Sequence, residues 1–167
     1  MNPLYIIPTP IGNLEDITVR SLNILKNSDL ILCEDTRRTS KLLNHYSIKK
    51  KLISFHKDNE LIMINKVLDL LKTNVISLVS DAGTPTISDP GSKLVKKLYS
   101  KGMQVIPLPG PSSITTAFSA SGLEGDFIFV GFLPKNLKSL IKNLINLSQI
   151  NKNLILFESP KRIMRLI

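Results

Sequence analysis

A single cysteine, Cys33, stands in 167 residues, with no tryptophan and only two histidines, His45 and His56. One cysteine excludes an intramolecular disulfide and any multi-cysteine zinc site. The two histidines form no H-E-x-x-H pair, and no metal site is expected. Apolar runs are short, of the kind Leu30-Ile31-Leu32-Cys33, far below the roughly 20 residues of a membrane helix. No basic stretch followed by a long apolar run opens the chain, so a signal peptide is not expected. Also missing are G-x-G-x-x-G after the first apolar run and G-x-x-x-x-G-K-[ST], which argues against dinucleotide and Walker-type phosphate sites. G-x-S-x-G is absent too, so a serine nucleophile on an elbow is not expected. These absences fit a protein of the reducing cytoplasm with no membrane partner.

What is present suffices for a core. Hydrophobic residues make up 43% of the chain and charged residues 21%, which places it among folded rather than disordered chains. Its length suits one ordinary domain or two small ones. The net charge of +9 invites an RNA partner, because phosphates are common partners of basic proteins. A compositional bias gives the same charge without any partner: 17 Lys stand against 5 Arg, beside 21 Ile and 13 Asn. Charge alone therefore supports an RNA ligand without establishing one.

Strand and helix patterns alternate along the chain. Short apolar runs at Leu4 to Ile7, Leu30 to Cys33, Lys51 to Phe55, Val75 to Val79 and Gln104 to Leu108 read as strands. Between them, Val19, Leu22 and Leu25 recur at helical spacing after Glu15-Asp16, an acidic pair suited to a helix start. Thr36 reads as the N-cap of a helix through about Asn44. Glu60 to Lys72 reads as a helix with Leu61, Ile64, Leu68 and Leu71 on one face. Asp89-Pro90-Gly91 opens another, with Asp89 as cap, and Lys101-Gly102 closes it. Strands separated by helices predict an α/β fold: a doubly wound, mostly parallel sheet over 1–108.

Pro107-Leu108-Pro109-Gly110-Pro111 is the plausible linker, because its prolines forbid helix continuation. Residues 109–167 then read as the start of a second, incomplete α/β domain. Its pattern is helix from about Ser112 to Ser121, strand Phe127 to Gly131, helix Leu137 to Leu147, strand Asn153 to Phe157, and a helix entered at Pro160. The chain stops at Arg165-Leu166-Ile167 inside that last pattern and reads as cut.

In open parallel sheets ligands bind beyond the carboxyl ends of the strands. The segments following the five strands converge there: Pro8–Asn13, Glu34–Arg38, His56–Glu60, Ser80–Gly91 and Pro109–Ser113. The Ser80–Gly91 loop is longer than a strand-to-helix turn needs, which points to a ligand. Its glycines admit close backbone approach and its prolines stiffen it. Glu34 and Asp35, beside Arg37 and Arg38, form either a surface ion network or a poised cleft.

These segments carry a resemblance. Leu4 to Thr18, Glu34-Asp35-Thr36-Arg37, Ser80-Asp81-Ala82-Gly83-Thr84-Pro85 through Gly91, Pro107 to Ser112, and Phe157-Glu158-Ser159-Pro160-Lys161-Arg162 occur in order. Together they resemble the tetrapyrrole methylase superfamily over essentially the whole chain. Pro8 and Pro10 in the first loop favour its ribosomal-RNA-modifying branch over the branch that acts on porphyrin-type rings.

The resemblance implies a two-domain α/β enzyme, dimeric when full length, that uses S-adenosyl-L-methionine. The implied reaction is 2′-O-methylation of the ribose of a cytidine in the decoding region of 16S ribosomal RNA, within the small ribosomal subunit. It places cofactor contacts on Ile11, Gly83, Thr84, Ile87, Ser113 and Ile114. Removing the ribose hydroxyl proton calls for a carboxylate or imidazole, and Asp35, His56, Glu60 and Asp81 are the candidates. Asp35 is the first expectation, with Arg37 and Arg38 holding RNA phosphate. Two alternatives remain: the same fold acting on a tetrapyrrole or protein side chain, and an inactive chain that binds RNA.

Overall fold

The central strands are almost wholly apolar because helices cover both faces of their sheet. β1 (Leu4–Ile7), β2 (Leu30–Cys33), β3 (Lys51–Ser54), β4 (Ile76–Val79) and β5 (Val105–Pro107) form a five-stranded sheet in the order β3-β2-β4-β1-β5. All its pairs are parallel, with Leu4 opposite Ile76 and Val105, and Leu30 opposite Ile76 and Lys51. These assignments come from a computed structural model, which describes residues 2–165. The last residues of the expected terminal pattern, Leu166-Ile167, lie outside the described residues.

Four helices connect the strands: α1 (Val19–Asn27), α2 (Thr36–His45), α3 (Glu60–Leu70) and α4 (Ser92–Ser100). Right-handed crossovers send connections running in opposite directions to opposite faces. The path from β1 through β2 to β3 runs one way, and its helices share a core of Ile7, Leu25, Ile31, Cys33, Leu42 and Val79. The path from β3 through β4 to β5 runs back, and α3 and α4 pack over Leu4, Leu32 and Leu78 with Val67, Leu71, Leu94 and Leu98. Alternate residues of each strand enter alternate cores. Ser77 is the polar exception within β4, and its buried hydroxyl is satisfied by Ser28 Oγ at 2.6 Å.

The helix starts depart from the sequence expectations in four places, each for a local reason. Glu15-Asp16 lies in a separate 3-10 turn, Leu14–Asp16, and Thr18 caps α1 by accepting the Ser21 N–H at 3.0 Å. Asp35, not Thr36, caps α2, its Oδ1 accepting the Arg37 N–H at 2.9 Å. Leu61 is 65% exposed, whereas Glu60, Ile64, Val67 and Leu71 are buried. The buried stripe is rotated because the Glu60 carboxylate is anchored inward. Asp89 does not cap α4: Gly91 occupies the cap position without a side-chain bond, and Glu60 from α3 supplies the acceptor.

The chain divides into two units, Met1–Ser113 and Ile114–Ile167. Residues 109–113 stay with the first unit, past the boundary expected at 108, because the Thr84 hydroxyl donates to Pro111 O at 3.2 Å. Gly110 also approaches Pro8 so closely that a Cβ there would lie 2.9 Å from the Pro8 Cβ. At the junction in sequence lies α5 (Ser113–Ala120). In the second unit β6 (Phe127–Phe132) and β7 (Asn153–Phe157) form a parallel pair joined through α6 (Leu137–Ser148). Phe157 meets Phe129 and Phe132 edge-on at ring distances of 4.8 and 5.5 Å. The helix expected from Pro160 is a turn followed by a short 3-10 segment, Ile163–Arg165.

Candidate active site at the carboxyl edge of the sheet

β1 and β4 are neighbours, yet the chain leaves them toward opposite faces of the sheet. Diverging loops of this kind leave a crevice at the strand ends, the usual ligand position in this architecture. The two loops are tied at their base. Thr9 and Gly83 exchange two backbone hydrogen bonds of 2.9 Å each, the Thr9 hydroxyl donates to Ser80 O, and the Ser80 hydroxyl donates to Gly83 O. This knot fixes the crevice floor without a ligand's help. Gly83 adopts φ of +80°, and a Cβ there would sit 3.4 Å from Ile11 and 3.8 Å from Pro111 O. Glycine holds the turn open at no steric cost. Thr86, a non-glycine residue at φ of +74°, marks strain in the same loop.

Above the knot lies an open cleft of about 530 Å³. The β1 loop contributes Ile11 and Leu14, the β4 loop Ser80 and Asp81, and α2 Arg38 and Lys41. A cleft of this size with mixed apolar and polar walls suits a small molecule of nucleoside dimensions. Of the expected site residues, Ile11, Arg38 and Asp81 line it, and Gly83 and Thr84 support its floor. Ile87 is 51% exposed. Ser113 ends the first unit and Ile114 begins the second, and neither lines the cleft. Lys41 was not among the expected residues, although its place three residues after Arg38 puts both on one helix flank.

The four proton-acceptor candidates separate. Asp35 is fully engaged: Arg37 donates Nε to Oδ1 at 3.1 Å and Nη2 to Oδ2 at 2.8 Å. With the Arg37 backbone N–H added, these bonds hold its carboxyl at about 2. Such a group accepts a proton poorly near neutrality, so the geometry turns the first expectation, Asp35, into a helix cap. Glu60 is 3% exposed, and its Oε1 takes the N–H groups of Gly91, Lys93 and Leu94 at 3.0, 3.1 and 3.3 Å. It anchors α4 rather than facing the cleft. His56 is half-buried, and its Nδ1 has no hydrogen-bond partner among the described residues, with Asp58 3.9 Å away. Asp81 alone of the four lines the cleft. One of its oxygens accepts the Asp35 N–H at 3.0 Å, and the other has the Arg38 guanidinium at 3.6 Å, beyond hydrogen-bond length.

Beside Asp81 the acids Glu34 and Asp89 share one electrostatic neighbourhood. Burial pushes the Glu34 carboxyl above its ordinary value, and the charges of Asp89 and Asp81 add to the rise. Burial likewise raises Asp89, against the pull of Lys57. Sequence placed Glu34 and Asp89 in loops that converge on this edge, and read Glu34 as poised in a cleft or in a surface ion network, but gave neither a catalytic or binding role. Their shared electrostatic neighbourhood follows from the packing of those loops.

Comparisons with known proteins give the family. The model of the Tetrapyrrole (Corrin/Porphyrin) Methylases matches residues 3–167. The chain belongs to this family. It is 50% identical to the Ribosomal RNA small subunit methyltransferase I of Thermotoga maritima, over 98% of this chain and 74% of that one. It is 49% identical to the protein of that name in Vibrio cholerae, over 96% of this chain and 56% of that one. The chain therefore spans between about half and three quarters of the length of these relatives. The resemblance read from the five ordered motifs is thereby shown, as is the α/β tetrapyrrole methylase fold. A diphthine synthase structure superposes with a TM-score of 0.67 at 16% identity, covering 95% of this chain and 66% of that one. The uroporphyrin-III-C-methyltransferase of Thermus thermophilus superposes at 0.60 and 21%, covering 81% and 61%. No helix of the described residues is long and apolar enough to cross a membrane.

Proposed function

We propose that this tetrapyrrole methylase family chain belongs to a cytoplasmic enzyme that transfers a methyl group from S-adenosylmethionine to a ribose 2′-hydroxyl of 16S ribosomal RNA. The target would be a cytidine of the decoding region presented by the small ribosomal subunit, and the full-length protein a homodimer. The observation that carries the reading is the cleft at the β1–β4 crevice, which joins an apolar wall, a carboxylate and two cations. When bound, the cofactor supplies a methyl group on a sulfonium whose departure leaves a neutral thioether.

Residues of the cleft fit such a group. Ile11 and Leu14 offer apolar contact, and Gly83, whose φ of +80° suits glycine, holds the turn beneath them. Thr84 holds that turn to Pro111, and Ile87, Ser113 and Ile114 are proposed as further contacts. The chain's remaining task is to aim the hydroxyl oxygen at the methyl carbon and take its proton. Asp81, through the oxygen not bound to the Asp35 N–H, is the proposed acceptor, with His56 as the imidazole alternative. Arg38 and Lys41 at the rim are proposed to neutralise RNA phosphates, as is Arg37, whose exposed guanidinium is also ion-paired with Asp35.

The test has two stages. Calorimetric titration with S-adenosylmethionine should show binding in the micromolar range. Incubation with methyl-labelled cofactor and unmethylated small subunits should then place label in a 2′-O-methylated nucleoside after digestion. Label in a base, in protein or in an added porphyrinogen would overturn the ribose assignment. RNA binding without cofactor binding would favour an inactive RNA-binding chain.

A further inference from the structure

Between Asp35 and Asp58 the chain carries Arg37, Arg38, Lys41, Lys49, Lys50, Lys51 and Lys57, and no carboxylate. A second acid-free stretch, between Asp89 and Glu124, carries Lys93, Lys96, Lys97 and Lys101 on and just after α4, but there, among the described residues, no groove adjoins the lysines. The fold gathers the first stretch on one side of the first unit: α2, the turn after it, and β3, the edge strand of the sheet. A second groove, of about 500 Å³, lies there. Thr36, Ser40 and Asn44 of α2 line it together with Lys49 and Lys50, and the apolar Leu43, Ile48 and Leu52 complete the lining.

Positions 36, 40 and 44 recur every four residues and so share one flank of α2, whereas Arg38 and Lys41 occupy the flank that lines the cofactor cleft. One helix, about 10–12 Å across, therefore separates a candidate methyl-transfer cleft from a second electropositive groove. Lys41, Lys49, Lys50 and Lys51 have no carboxylate partner among the described residues. Their charge is directed to solvent rather than spent within the fold.

Lysine ammonium groups beside a row of hydroxyl and amide side chains match a sugar-phosphate backbone, in which charged phosphates alternate with hydroxyl-bearing sugars. The lining offers no base-specific apparatus such as an exposed aromatic platform. We infer that the groove between α2 and the 49–50 turn is a backbone track for the same RNA. It holds phosphates a short distance from the methylated nucleotide, with α2 acting as the ridge over which the strand passes. This rests on the RNA reading above and adds to it a positioning surface outside the cleft.

The test is fluorescence anisotropy of a fluorescein-labelled single-stranded RNA of decoding-region sequence, titrated with the 167-residue chain at several salt concentrations. Each phosphate neutralised on a single strand contributes about 0.7 to the slope of log affinity against log salt. Lys49→Ala/Lys50→Ala should lower that slope by about 1.4 and weaken binding at low salt, while cofactor titration stays at the parent value. A control pair, Lys96→Ala/Lys97→Ala, removes equal charge from α4 on the opposite face of the sheet and should leave the slope unchanged. Equal losses in both pairs would mean bulk charge attraction and overturn the track. So would an unchanged slope in the first pair, or absence of RNA binding by the parent chain. Retained cofactor binding and ribose methylation in those cases would leave the methyltransferase reading standing, so the two failures are distinguishable.

Discussion

Glu60 caps a helix to which it does not belong, its Oε1 accepting the backbone N–H of Gly91 at 3.0 Å. Lys93 and Leu94 add two more donors to the same oxygen. The first turn of α4 thus finds a negative charge where its own sequence offers none, the arrangement favoured at helix N-termini. Glu60→Ala leaves three N–H groups without their acceptor and should cost about 2–3 kcal/mol. Glu60→Gln keeps an acceptor oxygen and should cost less. Urea unfolding of both variants measures the difference. A Gln variant of parental stability that binds cofactor but loses methyl transfer would restore Glu60 to the chemistry.

Gly91 itself tolerates no side chain. Its φ is +123°, and a Cβ there would lie 2.7 Å from Leu78 Cδ2 and 2.8 Å from Thr86 Cγ2. Gly91→Ala should therefore destabilise by more than about 1 kcal/mol, since strain and overpacking act together. Thermal unfolding checks this, and a variant as stable as the parent would contradict the close approach.

Asp35 and Arg37 predict a pH dependence. The Asp35 carboxyl lies at about 2, below its ordinary 3.8. Its stabilising effect is fully present above the unfolded value and is lost as pH falls through about 2. Asp35→Asn should be less stable than the parent near neutrality, and the gap should close between about pH 4 and pH 2. Urea midpoints across that range test the sign.

Glu34 carries the opposite sign. Burial and the neighbouring charges of Asp89 and Asp81 raise its folded value, so ionisation costs stability as pH rises through that value. Glu34→Gln should raise the urea midpoint near neutrality and converge with the parent in acid. A variant that is less stable at pH 7 would mean the carboxylate makes a favourable contact that outweighs its desolvation.

Asp81 separates positioning from proton transfer. Asp81→Asn keeps an oxygen for the Asp35 N–H and should leave cofactor affinity within a few-fold of the parent. Loss of the proton acceptor should lower methyl transfer by about 10²–10⁴-fold. Asp81→Ala should reduce both. Equal methyl transfer by parent and Asn variant, followed against pH, would point to His56 instead.

Much of the first unit was legible in advance. Leu4 to Ile7, Leu30 to Cys33 and Ile76 to Val79 sit in strands buried on both faces, and that environment demands continuous apolar runs visible in any short window. Helix caps were less legible. Asp89-Pro90-Gly91 has the local grammar of a helix start, yet the acceptor comes from Glu60, 31 residues earlier. Leu61 was misplaced for the same reason. Anchoring Glu60 turns α3 so that Glu60 and Val67 take the most buried places of Leu61 and Leu68, while Ile64 and Leu71 stay in the core. Helical periodicity alone does not choose between such overlapping stripes.

Local chemistry thus settled which segments of the first unit become strands and helices, that the loops after the strands gather at one edge, and which family's ordered motifs they carry. All of these depend on residues close in sequence. The sheet order decided the rest. It set β1 beside β4, opened the crevice between diverging loops, and turned one flank of α2 toward it. It also gave four similar acids different tasks: Asp35 and Glu60 as caps, Glu34 in a desolvated cluster, Asp81 at the cleft wall. A carboxylate's role follows from the charges and N–H groups within a few ångströms, and those neighbours come from distant parts of the chain.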